Sequence, residues 1–117
     1  MDMRVGNPFA VDNDNVLLGA VTRLTAGADV LQLWKKTARV WSQVGGDTAL
    51  SEELDNNKVY RLTTFFDSTN VRIRLYEVVS GQADRFIDSK DAAHGVDVTS
   101  YSRVGIFGWT IGAVVPV

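Results

Sequence analysis

The pattern of hydrophobic and polar positions predicts a β-hairpin in the middle of the chain. Residues 59–66 alternate between apolar and polar, residues 71–76 do the same, and the turn-forming residues 67–70 lie between them. The alternation indicates two paired strands, each with one buried and one exposed face. The outward positions of the second strand are Arg72, Arg74 and Tyr76.

Shorter apolar runs predict further strands that are separated by turns. Residues 48–54 fit either a short strand or a helical turn, and residues 89–95 read as a polar loop that carries the single histidine, His94. The remaining strands are expected at residues 16–24, 83–88, 96–101 and 104–117. Many short strands spaced by turns are typical of a β-sandwich or a jelly roll.

Residues 30–44 are ambiguous because two periodicities compete there. A helical stripe fits better than strict alternation, with Asp29 as the N-cap and Gly45 as the residue after the last turn. Short strands around Trp34 and Trp41 are the alternative if tertiary contacts override the local preference. The residues of the helical stripe are Val30, Leu33, Trp34, Thr37, Ala38, Trp41 and Val44.

The two ends of the sequence differ sharply in character. Residues 1–15 are polar and rich in turn-formers, which indicates an N-terminal arm or loop. Residues 104–117 contain no charged side chain and read as a buried strand whose apolar surface must be covered. We therefore expect an arm over residues 1–15 and a mainly β domain over residues 16–117.

Composition narrows the class of protein. The chain has 117 residues, no cysteine and a formal net charge of −2. The length predicts one domain, and the absence of cysteine excludes disulfides and thiolate metal sites. The charge gives no drive toward nucleic acid or an anionic membrane, and no apolar run reaches the about 18 residues of a membrane span. The leading residues also lack the apolar run of a signal peptide, so we expect no secretion by that route.

A series of short motifs occupies residues 34–79. The motifs are, in chain order, Trp34 or Trp41, the Gly-Gly-Asp turn at 45–47, Leu-Ser at 50–51, Tyr-Arg-Leu-Thr at 60–63 and Val-Arg-Ile-Arg-Leu at 71–75. This order resembles that of small jelly-roll, carbohydrate-binding-like domains found in bacteriophage structural proteins. The resemblance implies a β-sandwich and a place in a phage particle made in the host cytoplasm, but it carries over no sugar-binding residue. The expected fold is a single-domain, jelly-roll-like β-sandwich with one helix near residues 30–44.

Residues with catalytic or metal-binding chemistry are few and scattered. A Ser–His–Asp triad would have to use His94, which we expect to be a solvated loop residue. The run Asp12–Asn15 looks like the start of a calcium loop, but Val16 and Leu17 stand where the EF-hand pattern needs an oxygen ligand and a glycine. We expect no catalytic residue, no metal ion and no cofactor. The acidic residues available for acid–base chemistry all lie in turn-like stretches, at Glu52, Glu53, Asp55 and Asp67.

Two function classes remain. The first is a non-enzymatic virion protein, a capsid decoration or cement subunit, which would form a homo-oligomer such as a trimer on the major capsid protein. The alternative is a carbohydrate-binding module that stacks sugars on exposed aromatic and arginine side chains, or else a sheet face that is simply solvated. Neither class needs nucleic acid or a membrane. The residues expected to contact a partner or ligand are Phe9, Arg72, Arg74, Tyr76, Trp109, Val115 and Val117.

Overall fold

The computed structural model describes residues 2–25 and 27–111, and every helix or strand element in these ranges is a strand. No helix in the described ranges has the length and apolar character to cross a membrane. The strands are β1 (Asp2–Ala10), β2 (Val16–Arg23), β3 (Val30–Thr37), β4 (Val40–Gln43), β5 (Thr48–Ala49), β6 (Val59–Phe66), β7 (Asn70–Val78), β8 (Arg85–Ala93), β9 (Arg103–Val104) and β10 (Phe107–Ile111).

The strands form two antiparallel sheets. Sheet A has the order β10-β1-β2-β3-β4, with β5 paired to β3 and β9 paired to β1. Sheet B has the order β6-β7-β8. The two sheets pack face to face, which confirms the prediction of a mainly β, single-domain β-sandwich.

The core lies between the sheets and is built from alternating positions on each side. Sheet A contributes Leu17 from β2 and Leu31 and Leu33 from β3, all at most 1% exposed. The central strand β7 of sheet B contributes alternate residues that are at most 2% exposed, which confirms the predicted hairpin. These β7 residues are Val71, Ile73 and Leu75.

The predicted helix over residues 30–44 is wrong. The segment forms strands β3 and β4, joined by a two-residue turn, and β3 pairs along its length with β2. Four consecutive residues of β3, Val30 to Leu33, are buried, so the strand has buried side chains on both faces. Burial on both faces removes the alternation that would have identified a strand in the sequence.

The predicted arm over residues 1–15 is also wrong. Residues 2–10 form strand β1 inside sheet A, paired with β2 on one edge and with β10 and β9 on the other. The polar Asn7 of β1 donates hydrogen bonds to the Leu62 carbonyl (3.2 Å) and to Thr64 Oγ1 (2.9 Å) of sheet B. The leading segment is therefore held by its own chain.

Several shorter predictions need correction as well. The polar loop expected at 89–95 is mostly strand, since β8 continues to Ala93. The strand expected at 96–101 is irregular backbone. The strand expected at 104–117 is divided between β9 and β10, and residues 112–117 lie outside the described part of the chain.

Candidate functional site

Sheet A carries a second apolar surface on its outer face, the side that points away from sheet B. Successive strand residues point to opposite faces, so Leu17 enters the core and Leu18 lies on the outer face. Leu18 is nevertheless 1% exposed and Ala20 is 0% exposed. The outer side of a two-layer sandwich is usually solvated, so other side chains must cover this face. Its positions on β1 to β4 include Arg4, Ala10, Thr22, Gln32, Trp34, Lys36, Trp41 and Gln43.

Two tryptophans supply aromatic cover for the outer face. Trp34 and Trp41 border a cavity of about 140 Å³ together with Arg4 and Leu18. The guanidinium carbon of Arg4 lies 4.8 Å from the centre of the Trp34 ring, and Lys36 Nζ lies 5.6 Å from that of Trp41. Both are cation–π distances. Trp41 is 36% exposed, so part of its indole ring faces solvent.

A network of hydrogen bonds fixes the orientation of Trp34. The side-chain oxygen of Gln32 accepts from Trp34 Nε1 at 3.1 Å and from the Thr22 hydroxyl at 2.7 Å. The Gln32 amide nitrogen donates to Asp47 Oδ1 at 2.8 Å, and Gln43 Nε2 donates to the same oxygen at 2.6 Å. These bonds from Gln43 and Gln32 lower the pKa of Asp47, so the carboxylate stays ionised. A fully satisfied network of this kind holds the aromatic ring in one position.

A cleft of about 360 Å³ opens beside Trp41 on the same face. Its size falls in the range of small-ligand sites. Apolar side chains of β1 and β2 form part of the lining, and two cations and an Asp-Asn pair supply the polar groups. The residues that line the cleft are Pro8, Ala10, Asp12, Asn13, Val16, Lys36, Trp41, Arg103 and Val104.

The turn between β3 and β4 presents Trp41 to the cleft. Its two residues, Ala38 and Arg39, have φ angles of 49° and 73°, a region that residues with a side chain rarely adopt. The loop before β2 braces the turn, because the Arg39 amide donates to the Asp14 carbonyl (3.1 Å) and the Ala38 amide donates to Asn15 Oδ1 (3.3 Å). Strained backbone that neighbouring structure supports is common at functional sites.

The run Asp12–Asn15, which looks like the start of a calcium loop, folds as an Asx turn. Asp12 Oδ1 accepts from the backbone amides of Asp14 and Asn15, both at 2.9 Å, and from Asn15 Nδ2 at 3.2 Å. The first of these bonds contributes most to lowering the pKa of Asp12. The turn places Asp12 and Asn13 at the cleft.

The predicted stripe Arg72, Arg74 and Tyr76 points outward from sheet B, as expected from the alternation. Arg72 Nε pairs with Asp91 at 3.1 Å, and the Tyr76 ring meets Phe86 edge-on at 5.8 Å between centroids. Arg74 is exposed on the central strand. The stripe lies on the opposite side of the sandwich from the tryptophans, and its contact role stays a prediction.

The other predicted contact residues lie away from this stripe or outside the described residues. Phe9 packs inward, with ring centroids 5.1 Å from Phe66 and 5.5 Å from Tyr101. Trp109 lies opposite Arg4 in the ladder between β10 and β1. Val115 and Val117 lie outside the described residues.

His94 is buried, and the expectation of a solvated loop histidine is wrong. It is 1% exposed, because its backbone amide donates to the Thr69 carbonyl and draws the residue against the β6–β7 turn. Its Nε2 lies 2.8 Å from the Asp67 carbonyl oxygen, and its Nδ1 accepts from the Val96 amide at 3.1 Å. With both ring nitrogens bound to backbone groups, His94 joins two loops.

The sequence reasoning missed Arg4, Gln32 and Asp47 as parts of a site. Arg4 lies in the segment that was predicted to be an arm, and Gln32 lies in the segment that was predicted to be a helix. A usable signal was present at Gln32, a polar residue inside the apolar run 30–34, since buried polar side chains need hydrogen-bond partners.

The chain matches no family model, no curated protein and no solved structure. The outer face of sheet A combines a solvent-facing indole ring, planar amide and carboxylate groups and a cleft of ligand size. Such a surface suits a flat ligand with an apolar side and polar groups on its edge.

Proposed function

We propose that this chain is a non-enzymatic carbohydrate-binding protein and that the outer face of sheet A is its binding surface. The observation that carries the proposal is the placement of Trp34 and Trp41 beside the amide–carboxylate pair of Gln43 and Asp47. A pyranose ring has an apolar C–H side and hydroxyl groups on its edge. Aromatic rings stack on the first, and planar polar side chains hydrogen-bond the second.

Each part of the face has a defined task in this proposal. The exposed side of Trp41 stacks on a sugar ring, and the cleft beside it accepts that ring or the next one. Asp47 and Gln43 bind hydroxyl groups at the other end of the face, since Asp47 is exposed and ionised. The buried Gln32 keeps Trp34 in place before any ligand arrives, which lowers the entropic cost of binding.

A panel of immobilised oligosaccharides, neutral and acidic, tests the proposal. The native chain should retain at least one of them, and Trp41→Ala should weaken that binding about tenfold or more, as expected for a central aromatic contact. Phe86→Ala is the matched control, because Phe86 is an exposed aromatic (54%) on the opposite sheet. Retention of no oligosaccharide would refute the proposal. Loss of binding in Arg72→Ala/Tyr76→Ala with Trp41→Ala unaffected would move the site to sheet B.

The second candidate is the virion protein suggested by the sequence, a capsid decoration subunit that forms a homo-oligomer on the major capsid protein. It is favoured by large apolar side chains that remain exposed, notably Val104 (78%) and Ile106 (89%) near the end of the described chain. Phe65 (60%) and Phe86 (54%) on sheet B add to them. Apolar surface of this kind is stabilised when it is buried against a shell or another copy. The leading segment gives no support, because β1 lies within its own sheet.

The mass of the protein in solution tests the second candidate. We expect an oligomer at micromolar concentration that Val104→Ser/Ile106→Ser converts to a monomer. Val40→Ser is the control, since Val40 is also exposed (67%) but lies at the β3–β4 turn. A monomer at every concentration, with no binding to a capsid, would exclude this candidate.

A further inference from the structure

Three cationic side chains lie near the two tryptophans of the outer face. Arg4 is stacked on Trp34, Lys36 lies over Trp41, and Arg103 lines the same cleft as Lys36 and Trp41. The chain as a whole carries a net charge of −2, so this accumulation of positive charge departs from its average. A positive site on an acidic protein attracts and selects anions.

The acidic groups of the face are already engaged by local donors. Asp47 accepts from two side-chain amides, and Asp12 accepts from the Asx turn described above. Lys36 and Arg103, in contrast, form no salt bridge within 4.0 Å among the described residues. Asp12 lines the same cleft, and the charge of Arg103 contributes to lowering the Asp12 pKa, but this carboxylate is held by the hydrogen bonds of its own turn. Most arginines of sheet B and its neighbouring loops are paired, as Arg61–Asp84 (2.9 Å), Arg72–Asp91 (3.1 Å) and Arg85–Glu52 (2.5 Å).

We propose that the ligand of this face is an anionic carbohydrate, with a carboxylate or sulfate group held between Lys36 and Arg103 while its ring lies on Trp41. This inference rests on the proposed function and adds the chemical class of the sugar. A guanidinium group offers paired N–H donors that match two oxygens of a carboxylate or sulfate, and an ammonium group adds a compact charge. The apolar lining from Pro8, Ala10 and Val16 lies beside these charges and accepts the C–H surface of the ring.

Calorimetric titration with hexagalacturonate, its methyl-esterified form and a sulfated oligosaccharide of equal length tests the inference. The ester keeps the rings and removes the charge. We expect the esterified probe to bind at least tenfold more weakly than the best anionic probe, and Lys36→Gln or Arg103→Gln to cost that probe up to about fivefold each. The two anionic probes distinguish a carboxylate ligand from a sulfate ligand.

Arg74→Gln is the matched control variant. Arg74 is also an exposed cation without a carboxylate partner among the described residues, but it lies on the opposite sheet. Its replacement should leave affinity unchanged. Equal losses in Arg74→Gln, or equal binding of a polyglutamate peptide, would indicate general anion attraction and overturn the inference.

The inference and the proposed function fail in different ways. If the esterified or another neutral oligosaccharide binds as tightly as the anionic probes and Trp41→Ala abolishes that binding, the face binds sugars and only the anionic preference is wrong. If no oligosaccharide binds, both are wrong. Folding of every variant is checked by its unfolding midpoint, since Arg103 is exposed and Lys36 is only half-buried, so their replacement should change stability little.

Discussion

Replacement of Gln32 by glutamate tests the hydrogen-bond network that orients Trp34 on the outer face of sheet A. The Gln32 amide nitrogen donates to Asp47 at 2.8 Å, and its oxygen accepts from Thr22 and Trp34. Gln32→Glu preserves the shape and the acceptor but turns the donor into an oxygen that faces a carboxylate. Gln32 is 6% exposed, so water screens the new charge poorly. Because Asp47 itself is exposed, we expect the free energy of unfolding to fall by about 2–3 kcal/mol at pH 7, below the roughly 3–5 kcal/mol of a fully buried unpaired charge.

Gln43→Glu provides a matched control. Gln43 donates to the same Asp47 oxygen at 2.6 Å, so the substitution creates the same like-charge contact. Gln43 is less buried than Gln32, and solvent screens the repulsion there. We expect a loss below about 1 kcal/mol, typical of an exposed charge pair. Urea unfolding followed by tryptophan fluorescence measures both variants.

The effect of lowering the pH should have opposite signs in the native chain and in Gln32→Glu. In the native chain the pKa of Asp47 is lowered, so its contribution to stability is present above the ordinary value of 3.8 and is lost as the pH falls through the lower folded value. In Gln32→Glu, burial and the neighbouring carboxylate raise the pKa of the new glutamate. Protonation then restores a donor, and the penalty shrinks as the pH falls from 7 toward 4. Equal losses in Gln32→Glu and Gln43→Glu, or a penalty independent of pH, would refute the network described here.

Three further substitutions test the fold. Gly19→Ala would place Cβ 2.6 Å from Thr64 Cγ2, so we expect the free energy of unfolding to fall by about 1–3 kcal/mol. The calorimetric melting temperature should fall by roughly 4 °C per kcal/mol. An unchanged melting temperature would contradict the close packing of the sheets. Arg39→Gly relieves a φ of 73° and should raise the urea midpoint by an amount worth about 1 kcal/mol, whereas a lower midpoint would contradict the strained turn. His94→Ala removes the acceptor of the Val96 amide and should cost about 2–4 kcal/mol; amide exchange at Val96 that stays as slow as in the native chain would contradict the contact.

The hairpin of β6 and β7 could be predicted because each strand has one buried face. Its apolar residues recur with a period of two, and Asp67 accepts amide hydrogen bonds from Thr69 and Asn70 in the turn, at 2.8 and 2.6 Å. Local pattern and tertiary environment agree here. The same agreement explains why the sandwich class could be predicted from the sequence.

The segment 30–44 could not be predicted because sheet A is apolar on both faces. Leu33 is buried toward sheet B, and Trp34 is half-buried on the outer face. Neighbouring apolar residues in a strand then mimic the spacing of a helical stripe. Only the pairing partner β2, which the local sequence does not reveal, decides between the two structures.

Strand β1 was hidden by its own polar residues. Arg4 and Asn7 look like loop residues, yet each bonds to another strand, Arg4 to Thr22 at 3.2 Å. Pro8 also suggested a turn, but it lies opposite the gap between β10, which pairs with residues 2–6, and β9, which pairs with residues 9–10. A proline is tolerated where the ladder is interrupted.

The two apolar faces of sheet A are closed in different ways, and the difference bears on function. The inner face is sealed by sheet B, a whole layer with its own core residues. On the outer face, the cavity beside Leu18 is bordered by single side chains, Arg4, Trp34 and Trp41, held by hydrogen bonds and cation–π contacts. Side chains that lie across a sheet leave gaps between them, and the 140 Å³ cavity and the 360 Å³ cleft formed by the described residues of this face are such gaps. A cover made of oriented indole, guanidinium and amide groups therefore protects the sheet and, by the same geometry, offers a preorganised surface to a ligand.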